Sequence, residues 1–170
     1  MPKFISTYVK TVDWICEKVG RATMYLVFVM MFILILSFVT RNIINFPLIW
    51  IIEMAQFIIT AYYLLGGSYS MLTNDHVRMD LFYSKFSEIN KARMDALTSI
   101  FLFFYLVTLL YGSISSLTYT LETNQRLFTA WRPYVWPIKS FMTLGILLML
   151  LQTISMFFKD IYRIKGKKIT

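Results

Sequence analysis

Two charged side chains stand at matching places in two apolar stretches. In "PLIWIIEMAQFIIT", Glu53 follows Trp50 by three residues and Pro47 by six; in "PYVWPIKSFMT", Lys139 follows Trp136 by three and Pro133 by six. Proline fits the first turn of a helix and tryptophan favours the headgroup level of a bilayer, so each stretch reads as a helix that starts at a membrane surface. Equal spacing implies equal depth, and six residues of helix rise only about 9 Å. A charge at mid-bilayer costs about 2.5 to 3.5 kcal/mol on insertion scales; at this shallow depth the cost is smaller, and pairing offsets much of it. The expected chemistry is an ion pair, Glu53 with Lys139 or with Arg41, near the membrane boundary. Two alternatives stay open: a basic partner on another subunit, and the binding of a coupling cation or proton.

Little else in the chain could do chemistry. Cys16 alone cannot form an internal disulfide, and His76 alone cannot supply bis-histidine haem ligation or a Cys/His metal cluster. His76 could relay a proton, but at the end of a span it reads first as a capping or loop-bonding residue. Gly66-Gly67 has no phosphate-loop context and reads as a packing notch. Thr108, Ser113, Ser115, Ser116 and Thr118 can bond to their own helix backbone. No catalytic residue, cofactor or metal is expected. No span holds the several ionisable groups that a self-contained pump or membrane enzyme usually needs.

The elements that must position Glu53 and Lys139 are long apolar helices. With 58% hydrophobic and 15% charged residues in 170 positions, the chain is too apolar for a soluble domain. Four blocks, at about 22–40, 46–72, 96–118 and 134–158, each reach the length of about 20 residues that a helical span needs. The fold class is therefore an all-α integral membrane protein, a single membrane domain over 1–170. The first block is preceded by Asp13 and Glu17 and followed by no small-residue cleavage motif, so it is kept as a span.

Charge sets the orientation. Of the 17 Lys and Arg, those at 3, 10, 18, 21, 78, 85, 91, 93, 159, 163, 165, 167 and 168 fall on one side; Arg41, Arg126, Arg132 and Lys139 fall on the other. By the positive-inside rule both termini are cytoplasmic. The net charge of +8 follows from this topology and from attraction to anionic lipid, with no nucleic-acid partner required. Residues 1–21 carry Phe4, Ile5, Tyr8, Val12, Ile15, Cys16 and Val19 on one helical face, with Lys3, Lys10, Asp13, Glu17 and Arg21 opposite, which predicts an interfacial helix. The middle loop repeats this with Met79, Phe82, Tyr83, Phe86 and Ile89, and residues 159–170 form a basic tail.

Below the two charges run stripes of small and polar residues, Gln56, Thr60 and Gly67 after Glu53, and Gly145, Gln152 and Ser155 after Lys139. Lipid tails reward neither, so the stripes predict helix contacts within the chain or with a partner.

Several of these features together resemble the small membrane subunit of tripartite ATP-independent periplasmic (TRAP) transporters. They are the Arg41 turn with Trp50 and Glu53 opening span two, "LLGGSYSMLTNDHVRMDLFY" with its His76-x-Arg78-x-Asp80 element, and "WRPYVWPIKSFMTLGILLMLLQT" ending at Gln152. The resemblance covers nearly the whole chain. It departs from the family at Ile52, where a second acidic residue usually precedes the glutamate. It implies a subunit of the bacterial inner membrane that braces a large transport subunit of about a dozen spans. In such systems a periplasmic binding protein delivers a solute, often an organic acid, which the large subunit moves by an elevator motion on a sodium gradient. Arg41, Trp50, Glu53, Gln56, His76, Arg78, Asp80, Trp136, Lys139 and Gln152 are then candidate structural or subunit-interface residues. The competing class is a self-sufficient four-helix proton-coupled exporter using Glu53; such exporters carry their acid in the first span and have leaner loops.

Overall fold

A computed structural model describes residues 3–46, 48–73 and 88–164. Four helices form: α1 (Lys3–Asn42), α2 (Ile51–Thr73), α3 (Glu88–Glu122) and α4 (Trp136–Ile164). All four are long and apolar enough to cross a membrane. The 40 residues of α1 make about 60 Å of helix, twice the hydrocarbon thickness of about 30 Å. Residues 3–21 and 22–40 thus belong to one unbroken helix. Asp13, Glu17, Lys18 and Arg21 interrupt the apolar run without interrupting the backbone hydrogen bonds.

The connections end the helices by local chemistry. After α1, Asn45 takes a left-handed conformation (φ 54°), and the Phe46 N–H reaches back to the Thr40 carbonyl at 3.0 Å. Residues 46 and 48–50 lie outside α2. After α3, left-handed Asn124 (φ 47°) lets the Gln125 N–H bond the Thr120 carbonyl at 3.2 Å, a cap that asparagine accepts better than most residues. The chain then folds back on itself. Leu127 N–H donates to the Pro133 carbonyl and Val135 N–H to the Gln125 carbonyl, with Arg126 stacked on the Tyr134 ring at 4.2 Å. Pro137 sits in the first turn of α4, where its missing N–H costs nothing.

Helix α4 is the hub. It packs against α1, α2 and α3, while α1 also packs on α2. On α3 the buried residues are Leu106, Ser113 and Thr120, seven apart, a single seam of the kind that two helices at a shallow crossing share. The α2–α4 contact is close enough that a Cβ on Gly145 would lie 2.8 Å from the Leu64 carbonyl oxygen, and one on Gly67 would lie 3.0 Å from the Met149 sulfur. Gly20 of α1 lies directly under the Tyr69 ring in the same way. The seams are built from small and polar residues, with Cys16, Ser68, Thr120, Gln152, Thr153 and Ser155 almost wholly buried. Large apolar side chains such as Phe28, Phe32, Phe38, Phe101, Phe104 and Tyr111 point outward. That inverts the soluble pattern and matches membrane helix packing, where the surroundings are as apolar as leucine.

Candidate functional site

Among the described residues, polar side chains gather where α1 meets α4 and where α3 meets α4, and Glu53 stands apart from both. The first cluster joins α1 to α4. Asp13 Oδ2 takes the Lys159 ammonium at 2.7 Å, and Oδ1 accepts from Gln152 Nε2 at 3.1 Å and Ser155 Oγ at 3.3 Å. Gln152, Ser155 and Lys159 stand at i, i+3 and i+7 and so share one face of α4. Tyr8 adds a bond from its hydroxyl to the Leu151 carbonyl at 3.3 Å. The ion pair is partly shielded, its side chains 22% and 27% exposed for Lys159 and Asp13. Gln152 is fully buried and its Oε1 has no partner.

Asp13 was expected on the solvent face of an interfacial helix; it faces α4 instead. At 100° per residue it lies about 60° from Cys16, the middle of the buried face, so it sits at the edge of that face. Val9, Val12 and Cys16 are buried beside it. The signal was present as a carboxylate at the margin of an apolar stripe, opposite Lys159 in a chain that carries few acids.

The second cluster joins α3 to α4. Lys139 Nζ donates to Thr120 Oγ1 at 2.6 Å, with the Ser116 carbonyl at 3.4 Å and Gln125 Oε1 at 3.5 Å. One turn along α4, Ser113 and Thr143 hydroxyls bond at 2.6 Å, and Thr143 donates to the Lys139 carbonyl. The Glu53–Lys139 pair expected from their matched spacing does not form within the chain. The Lys139 face of α4 turns toward α3, whose C-terminal end supplies the Thr120 hydroxyl and the Ser116 carbonyl.

Glu53 lies in the first turn of α2, 5% exposed, with Oε2 buried and without a hydrogen-bond donor. Arg41, in the last turn of α1, is exposed. Of the other candidates, Trp50 is half-buried, Gln56 and Trp136 are exposed, and Thr60 donates to its own backbone at the Gln56 carbonyl. Gln152 is placed at a helix contact, as its stripe predicted. His76, Arg78 and Asp80 lie outside the described residues. Among the described residues no three His, Cys, Asp or Glu side chains gather in a metal-binding arrangement.

Residues 30–163 match the family model of the DctQ component of tripartite ATP-independent periplasmic transporters. The chain belongs to the DctQ family. It is the small membrane subunit of a TRAP system, a multi-pass transporter component and not an enzyme. No curated protein sequence matches the chain. DctQ proteins work with a large DctM subunit and a substrate-binding protein. The matched stretch holds Glu53, Lys139, Gln152, Ser155 and Lys159; Asp13, which receives three of their bonds, precedes it.

Proposed function

We propose that this DctQ subunit is a static brace in the bacterial inner membrane, holding the large subunit at fixed depth while that subunit imports an organic acid on a sodium gradient, fed by a periplasmic binding protein. Both termini lie in the cytoplasm in this reading. Trp50 and Trp136 hold the outer ends of α2 and α4 at the headgroup level, and lipid or the large subunit covers the outward aromatic faces of α1 and α3. The observation that carries the proposal is how the charges inside the bundle are used: Asp13, Lys159 and Lys139 all tie one helix to another. A mobile transport site needs groups that exchange partners, whereas Asp13 and Lys139 are held by three bonds each and Lys159 by its ion pair with Asp13.

Reconstitution in liposomes tests this. Uptake driven by a sodium gradient should require this chain, the large subunit and the binding protein together. Uptake or export by this chain alone would refute the proposal and favour the second reading, a small proton-coupled exporter, which draws its support from the unpartnered oxygen of Glu53.

A further inference from the structure

Among the described residues, Glu53 is a buried acid to whose Oε2 the fold supplies no donor. The N-terminal end of α2 offsets part of the negative charge through its free N–H groups, but a partial helix charge does not replace a full counter-charge. The obvious internal partner is taken, since Lys139 is bound to Thr120 on the far side of α4. A bound metal ion is a poor match, because no second or third carboxylate, histidine or cysteine joins Glu53 among the described residues and its neighbours Ile51 and Ile52 offer no side-chain oxygen.

The surface beside it is shaped for a helix. Ile52, Gln56, Ile59 and Tyr63 stand at i, i+4, i+7 and i+11 along one face of α2, and all four are exposed. An apolar stripe with one amide near its upper end and a donorless carboxylate at its edge fits a partner helix that brings a cation. We infer that Glu53 receives an arginine or lysine side chain from the large subunit, laid along the Ile52–Gln56–Ile59 face of α2. This rests on the brace proposed above. The carboxylate torsion of a glutamate is broad and roughly two-fold, so Glu53 can turn either oxygen to an incoming donor. Arginine fits best, because its planar fork satisfies both oxygens together.

The inference makes opposite predictions for the free chain and for the complex. In Glu53→Gln the isolated chain loses an uncompensated buried charge, so its melting temperature in detergent stays equal or rises. The complex loses the charge-assisted bond, so the fraction of large subunit retained on affinity-tagged chain during a dilution wash falls about tenfold or more. Glu53→Arg abolishes retention, and suppressor mutations that restore it map to a lysine or arginine of the large subunit changed to an acid or a neutral residue. A lower melting temperature for free Glu53→Gln would overturn the inference by making Glu53 an internal support. Wild-type retention by Glu53→Gln with loss of transport would overturn it in favour of an ion or proton role. If the wild-type chain itself retains no large subunit, the brace falls and this contact falls with it; if wild type and Glu53→Gln retain it equally, only this contact falls.

Discussion

Replacing Asp13 with alanine strands three donors at once. Lys159 loses its counter-ion, and the buried Gln152 and Ser155 lose their common acceptor. Breaking a fully buried ion pair costs about 3–5 kcal/mol and an exposed one about 0–1; with both side chains about a quarter exposed, the charge contributes ~2 kcal/mol. Each stranded donor adds about 1 kcal/mol, and because the three share one acceptor the losses overlap, giving about 2–4 kcal/mol in all. Asp13→Asn keeps an amide oxygen for Gln152 and Ser155 but removes the charge, so it should fall near half that cost. Lys159→Met should resemble Asp13→Asn, and the double variant Asp13→Ala with Lys159→Met should destabilise by less than the sum of the two single changes. Thermal unfolding in detergent reads the global effect. Maleimide labelling of Cys16 reads the local one, since this fully buried thiol sits three residues from Asp13 on α1 and becomes reachable only when α1 lifts from the bundle. An Asp13→Ala variant within about 0.5 kcal/mol of wild type, with unchanged Cys16 labelling, would refute the view that this cluster fastens α1.

Gly145→Ala puts a methyl group against the Leu64 carbonyl and should destabilise by about 1–3 kcal/mol, whereas Gly112→Ala, in open space on α3, should be neutral or gain up to about 1 kcal/mol from helix propensity; paired thermal melts decide it. Lys139→Met leaves the 123–135 connection without its hold on α4, so limited proteolysis between Arg126 and Arg132 should accelerate several-fold while the helices stay intact by circular dichroism; unchanged cleavage would show that the backbone bonds of that connection suffice.

The four spans were legible because apolar runs of this length have few other uses. The Gly145–Gln152–Ser155 stripe was legible for a related reason: small and polar residues inside an apolar run need a neighbour. Direction around the helix axis was harder to read. Trp50 to Glu53 and Trp136 to Lys139 are the same step, yet one leads to an unpartnered corner of α2 and the other to α3, because spacing along one helix does not say which neighbour stands on each side. Continuity of α1 was hidden because hydropathy reports the preferred surroundings of side chains, while the backbone bonds carry on through Glu17 and Arg21, themselves an i,i+4 ion pair that suits a helix. The folded-back 125–135 connection was invisible for a third reason. Its register depends on left-handed Asn124 and Arg132, and arginine seldom signals that conformation.

Helix α4 follows the three helices that it gathers, which matters for how the protein is made. Helices α1 and α2 can pair as soon as both have left the ribosome, but α3 packs principally on α4 and must wait in the membrane as a single helix until α4 follows. Asp13 waits for Lys159, which follows it by 146 positions. A nascent chain halted before α4 would therefore expose an unsatisfied carboxylate near one end and the Leu106–Ser113–Thr120 seam along α3, both open to any assembly factor or proteolytic surveillance that recognises unfinished membrane proteins.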